Sequence, residues 1–280
     1  KSMKKVTVFL STIFAIAIVA VSFSSCGEEP GIYEPKKKIS KVYEQKEGRD
    51  EYLVQDWLWN GNKLASITYY YRGEFDGKDE YTYEGDRIVK IEDNWEYYAE
   101  FYYLNKKFDK IKYYNPNNSL SVEITFQYDG KKVSVITFRN YDWDKNVISM
   151  ISRSMMDYLL PEEGIKMIVE KLTNQADKFT LVLDLSYKGD NLSLISLDNE
   201  PIYIFEDYDN NYNVFYNFFP FSTYYEDIYI NIYSKNNPRK VTNEYYGEVT
   251  TFTYTYDGKF PITIEADTEG DLLKTRIVYQ

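Results

Sequence analysis

Tyr81–Ile91 reads YTYEGDRIVKI, and far down the chain Tyr254–Ile264 reads YTYDGKFPITI. Both open on alternating aromatic and threonine residues, pass through an acid–glycine step, and end on isoleucine. Aromatic and β-branched side chains suit a pleated, half-buried strand. A glycine at the centre admits the positive φ that a two-residue hairpin turn demands. Eleven residues therefore predict one hairpin: strand, turn, strand.

Seven copies of this unit are present. The others are WLWNGNKLASI from Trp57, FYYLNKKFDKI from Phe101, FQYDGKKVSVI from Phe126, LSYKGDNLSLI from Leu185 and NIYSKNNPRKV from Asn231. The third position is always aromatic, and the eleventh is isoleucine except at Val241. Glycine holds the fifth position except at Asn105 and Lys235. A degenerate eighth copy is expected near Tyr203–Val214. Seven or eight hairpins imply about 14–16 strands, more than an open twisted sheet usually holds without curling or splitting. The expected fold is mainly β: a curled antiparallel meander of hairpins, closing towards a barrel-like shell.

One stretch breaks the period. Between 146 and 175 the spacing turns helical, with Ile148, Ile151, Met155 and Leu159 on one stripe and Ile165, Ile168 and Leu172 on another. Pro161, Glu162 and Glu163 stand where a second helix would begin. A short helical insert covering one opening or edge of the sheet is the expectation.

Strand parity separates inside from outside. The repeat isoleucine Ile67 shares a face with Tyr69 and Tyr71. One face of the next run carries Trp95, Tyr97, Ala99, Phe101 and Tyr103, and the last copy puts Phe252, Tyr254 and Tyr256 opposite its threonines. Tyr70, Tyr98, Tyr102 and Tyr114 fall on the polar side. Such rings can stack on sugars or peptide side chains with their hydroxyls solvated, and tyrosine also stabilises cross-strand pairs. These four are the candidate ligand-binding residues.

The N-terminal segment reads as an address. Lys1, Lys4 and Lys5 precede the apolar run Val6–Val21, followed by Ser24, Ser25 and Cys26. A basic start, a short apolar run and small residues make a secretory signal over residues 1–25. FSSC resembles a bacterial lipobox, with Cys26 lipidated. Residues 26–41 then form the lipidated cysteine and a flexible tether, and 42–280 one repeat-built β domain. The acids Glu28 and Glu29 after Gly27 resemble the export signal of Bacteroidota surface lipoproteins.

Composition excludes whole chemistries. The chain has no histidine and one cysteine. His-based triads and zinc centres are ruled out, and Cys26, committed to lipid, leaves no disulfide or thiolate nucleophile. Net charge is −11, and −14 once the three leader lysines are removed. Nucleic acid is a poor partner for such a surface, and so is an anionic membrane. Asp207–Asn211 (DYDNN) begins like a calcium loop, but Tyr212 replaces the glycine at the sixth position and Phe218 the glutamate at the twelfth. An Asx-rich turn is the plainer reading, so no metal and no cofactor is expected. An Asp/Glu glycoside hydrolase stays open, since it needs only two carboxyls across a cleft.

The run of Y-x-Y-D-G-x-K-V/I units, the phrase SKNNPRKV at Ser234–Val241 and the lipoprotein start together resemble a group of Bacteroidota lipoproteins of unknown function. Their hairpin repeats are similar to the YD repeats of large surface and toxin-shell proteins. The resemblance covers most of Trp57–Gln280. It implies a repeat β architecture on an outer-membrane lipoprotein and transfers no catalytic residue. The helical insert and the small number of units depart from the larger class. A membrane-spanning barrel also uses aromatic hairpins, but a mean hydropathy of −0.53 and a redundant lipid anchor weigh against it. The expected function is a non-catalytic surface lipoprotein binding a glycan or protein ligand. The alternatives are a structural partner of an outer-membrane complex and the hydrolase.

Overall fold

The computed structural model describes residues 32–141, 180–197, 199–218, 233–244 and 246–280. The first half of the strands comprises β1 (Ile39–Lys46), β2 (Tyr52–Asn60), β3 (Lys63–Tyr71), β4 (Glu74–Glu84), β5 (Arg87–Asp93), β6 (Tyr98–Leu104), β7 (Lys107–Tyr114) and β8 (Leu120–Asp129). The second half comprises β9 (Lys132–Asn140), β10 (Thr180–Lys188), β11 (Asn191–Leu197), β12 (Glu200–Glu206), β13 (Lys240–Asn243), β14 (Glu248–Asp257), β15 (Phe260–Thr268) and β16 (Asp271–Tyr279). Each strand pairs antiparallel with its sequence neighbour, and β16 pairs with β1 to close a barrel. The barrel-like meander is thus observed, with no open edge to protect.

Six of the seven copies are hairpins: β2–β3, β4–β5, β6–β7, β8–β9, β10–β11 and β14–β15. Gly85 and Gly130 turn with φ of 59°, at the first of two central residues. The copy without glycine solves the same problem with Asn105 and Lys106 at φ of 50° and 68°, both positive as a type I′ turn needs. The copy from Asn231 is not a hairpin; its described part, Tyr233–Arg239, is irregular and β13 starts only at Lys240. Proline at position eight is not the cause, since Pro261 holds that place inside β15; here Asn236 and Asn237 bond instead to Asn191, Asn211 and Asp209.

A bulge recurs at one place in every hairpin. Pairing shifts between Thr82 and Tyr83, between Tyr102 and Tyr103 and between Gln127 and Tyr128, leaving Val89, Asp109 and Ser134 as the extra residues. These are position nine of their units. The bulge explains why positions eight and eleven, an odd spacing apart, both point inward: Ile88 with Ile91, Phe108 with Ile111, Val133 with Ile136 are all buried.

The unit also binds its neighbour. In two copies the third-position hydroxyl donates to the eighth-position carbonyl of the preceding unit: Tyr83 to Leu64 O at 2.9 Å and Tyr103 to Ile88 O at 2.6 Å. Trp59 Nε1 makes the equivalent bond to Ile39 O at 2.7 Å, and Tyr279 to Pro261 O at 2.6 Å. The seventh-position lysine reaches forward to the next turn. Lys63 donates to Gly85 O, Lys107 to Gly130 O and Lys132 to Gly189 O. The same ammonium groups lie 5.6, 4.6 and 5.4 Å over the rings of Tyr83, Tyr128 and Tyr187. In these copies positions three, five, seven and eight each serve the adjoining copy.

All these turns lie at one end of the barrel, the hairpin end. The connections between hairpins form the opposite, return end. Apolar side chains fill the interior as one continuous core. Lysines, acids and threonines face outward, as Lys78, Glu80, Lys90, Glu100, Lys110 and Lys112 do along β4–β7. A spanning barrel requires the reverse, an apolar outer band. At the hairpin end the strap before β1 tucks into the mouth. Tyr33, 4% exposed, packs among Trp57, Trp59 and Phe218, and its hydroxyl donates to Val214 O at 2.7 Å. From Ile32 onward the expected tether is docked, and β1 begins at Ile39, inside the range assigned to it.

Parity placed Tyr71 and Trp95 inside, but they are 52% and 43% exposed. Both lie at the return end, beyond the last core layer, and pairing shifts between Tyr69 and Tyr70. The expected helical insert (146–175), the signal segment and Cys26 lie outside the described residues. The chain leaves at Tyr141 and returns at Thr180, both at the return end, where β9 and β10 pair through Arg139 and Thr180.

Candidate functional site

Three of the four candidate tyrosines come together on the outer face of β5–β7. Tyr98 and Tyr114 are register partners across β6–β7, and their rings stack 4.8 Å apart at 15°. Tyr98 donates to Asn118 Oδ1 at 3.0 Å, and Tyr102 donates to Glu100 Oε2 at 2.6 Å. The Glu100 carboxylate holds the Tyr102 proton and lifts its pKa above the phenol range, while desolvation raises Tyr114. Lys90 sits 4.4 Å over the Tyr98 ring and Lys112 5.4 Å from Tyr102, so the ring faces already carry ammonium groups. Tyr70 is elsewhere. It lies on β3, opposite the 61%-exposed Phe75, with β4 and β5 between it and β6.

Sequence reasoning missed a cavity of about 640 Å³ at the return end, between β12 and β1. Its lining includes neutral polar groups. Asn243 Nδ2 donates to Tyr203 Oη at 3.3 Å, and the Thr250 and Thr268 hydroxyls bond at 2.8 Å. Val241, Ala266 and Leu273 supply an aliphatic wall, and the mouth mixes Lys46 and Arg49 with Glu47, Glu248 and Asp271. The volume lies within the range of small-molecule sites, about 300–1,000 Å³. The cavity lies where the hairpin repeat is interrupted, beside the short β13, and it is completed by Thr250 of β14 and Thr268 of β15. Of its polar lining only Asn243 comes from β13, so the irregular copy from Asn231 is a partial sequence signal for it.

Two acids mark the ends. At the return end Asp93 accepts the amide protons of Trp95 and Tyr97 at 2.8 and 2.9 Å, and burial pushes its pKa up to about 6, against the lowering by those bonds. A folded-state pKa above the unfolded value means that Asp93 contributes stability below about pH 4, and that this contribution is lost as pH rises through about 6. Asp93→Asn keeps an oxygen for both amides and removes the charge. It should raise the melting temperature at pH 8 and leave it nearly unchanged at pH 4; an equal shift at both values would show that ionisation is not the cause. At the hairpin end Asp209 accepts from the Asn211 amide at 2.9 Å and the Asn237 amide at 3.2 Å. The DYDNN stretch is an Asx-anchored turn, and among the described residues no group of acids is placed to hold a metal ion.

No protein-family model matches the chain, and no curated protein matches it. Solved structures do. A porin-like protein from Bacteroides uniformis superposes with a TM-score of 0.53 at 13% identity, over 90% of this chain and all of that one. A porin-like protein from Bacteroides vulgatus gives 0.41 at 12% identity, over 88% and 99% of the two chains. The Photorhabdus luminescens Tc holotoxin pore gives 0.26 at 12%, over 80% of this chain and 9% of that one. At these identities the first likeness establishes a shared fold.

Proposed function

We propose that this chain is a non-catalytic, lipid-anchored surface protein that binds a neutral glycan in the cavity at the return end. The observation that carries the reading is the cavity's make-up: neutral hydroxyl and amide groups beside aliphatic side chains, with charges of both signs around the mouth. Hydroxyl-rich ligands are recognised by convergent neutral donors and acceptors above apolar surface. The lack of histidine and the commitment of Cys26 to lipid support a role without covalent or imidazole chemistry. The FSSC motif supports the anchor, and Gly27–Glu29 supports export to the cell surface of a Bacteroidota outer membrane.

A second reading places the glycan on the outward Tyr98–Tyr114 pair, and the stacking of those rings favours it. Calorimetric titration with maltotriose, cellotriose and xylotriose separates the two. Ala266→Trp fills the cavity and should weaken binding by at least about tenfold, the ~1.4 kcal/mol of one lost hydrogen bond and its packing. Tyr98→Ala and Tyr102→Ala should leave it unchanged. The reverse pattern would move the site to the tyrosine face. Absence of heat with every sugar, with circular dichroism unchanged, would refute glycan binding.

A further inference from the structure

The acidic character of the whole chain conceals two ends of opposite sign. At the hairpin end Lys63, Arg87, Lys107 and Lys132 recur at position seven, and Lys106, Lys131 and Lys259 occupy the turns themselves. Lys36, Lys37 and Lys38 of the docked strap join them. Lys63 and Lys132 lie 3.5 and 3.9 Å from Asp86 and Asp190 and Lys37 pairs with Asp257, while Lys107 is held by a glycine carbonyl and a tyrosine ring, so the local charge is set by the excess of cations over these acids. The acids there, Asp86, Asp129, Asp190 and Asp257 at the turns with Glu34, Glu84, Glu206, Asp207 and Asp209 beside them, are outnumbered by the cations, to which Lys188, Lys235, Arg239 and Lys240 also belong. At the return end the balance inverts. Glu47, Asp50, Glu74, Glu96, Glu269 and Asp271 crowd its turns against Lys46, Arg49 and Arg72.

Separation decides whether these ends act independently. A strand of about nine residues rises ~30 Å, or roughly 20–25 Å along a barrel axis after tilt. The Debye length in physiological salt is about 8 Å. A surface touching one end therefore responds to that end's charge, whatever the net charge of the molecule.

We propose that the hairpin end is a docking face for anionic, phosphate-bearing lipid headgroups, so that the barrel stands on the membrane with its cavity facing away. Two observations select this occupant. The cations are grouped on one end, and the strap that leads back to Cys26 is pinned at that same end through Tyr33. Six residues from Cys26 to Ile32 reach at most about 20 Å, which keeps the hairpin end near an anchored lipid. The orientation rests on the lipid-anchor reading, whereas the charge complementarity does not.

The test uses the lipidated protein in vesicles of phosphatidylcholine with or without phosphatidylglycerol, the membranes carrying a headgroup-linked quencher. With Cys26 acylated, a thiol introduced by Asn62→Cys at the hairpin end or Asn117→Cys at the return end takes a fluorophore alone. Quenching should be about threefold stronger at position 62 than at 117 in anionic vesicles, and the difference should shrink in high salt as screening predicts. Lys131→Glu with Lys259→Glu should reduce it, tryptophan emission confirming the fold. Equal quenching at both positions, or a difference indifferent to anionic lipid, would overturn the proposal. Salt-resistant flotation with neutral vesicles reports the anchor separately. If that fails while the position-62 label is still quenched only by anionic vesicles, the anchor reading falls and the docking face stands.

Discussion

Ile111→Ala should lower the free energy of unfolding by about 2–5 kcal/mol, the range for truncating a fully buried aliphatic side chain. Ile111 is the eleventh residue of its unit and is 0% exposed. It lies opposite Phe101 on β6 and Ile124 on β8, both buried, so its removal leaves a void bounded by two strand pairings that resist collapse. The outward neighbour Lys112→Ala should change stability by no more than about 0.5 kcal/mol, as exposed substitutions do. Urea unfolding of the three proteins, followed by tyrosine and tryptophan emission, measures both. A loss under 1 kcal/mol for Ile111→Ala would mean that the interior relaxes around the gap, and that the repeat isoleucine is not the unit's anchor.

Much of this architecture can be read from the chain because its local and non-local requirements coincide. An alternating aromatic run needs a pleated face, and the glycine step needs positive φ, so YTYEGDRIVKI can hardly be other than a hairpin. The strand number follows by counting. The bulge does not follow, because simple parity assigns positions eight and eleven to opposite faces. Only the extra residue, Val89 or Asp109, restores Ile88 and Ile91 or Phe108 and Ile111 to one side. A barrel-like shell was expected from the strand count, but the strand that closes it was hidden for another reason. β1, ISKVYEQK, carries no copy of the repeat, yet it supplies the strand that joins β2 to β16. For the tyrosines, parity gave the face and could not give the neighbours. The β6–β7 register brings Tyr98 to Tyr114, while Tyr70 is held away by two intervening strands. The cavity is lined by Asn243, Thr250 and Thr268, which lie outside the eleven-residue units, so a search for the repeated phrase passes over it.

Trp57→Ala should produce the other large effect, about 3–5 kcal/mol for removal of a buried indole, and its consequence reaches beyond stability. Trp57 lies 4.8 Å from Phe218 and 6.3 Å from Tyr33, centroid to centroid, and its Nε1 donates to Gln55 Oε1 at 2.9 Å. It is therefore the floor on which the strap rests. Without it Tyr33 keeps its hydroxyl bond to Val214 but loses much of its aromatic packing, and local opening of the strap should become far more frequent. Trypsin should then cut at Lys36–Lys38 well before the barrel unfolds, whereas Trp57→Phe, which retains a ring against Phe218, should resist. Unchanged cleavage in Trp57→Ala would show that the ion pair and hydrogen bonds of Lys36, Lys37 and Lys38 hold the strap without the aromatic cluster. The distinction bears on orientation at the membrane. A pinned strap transmits the position of the anchor to the whole barrel, while a loose one lets the barrel tumble on its lipid. Trp57→Ala should accordingly erase the difference in headgroup quenching between the two ends at high salt, where electrostatic docking no longer contributes, and leave most of it in place at low salt.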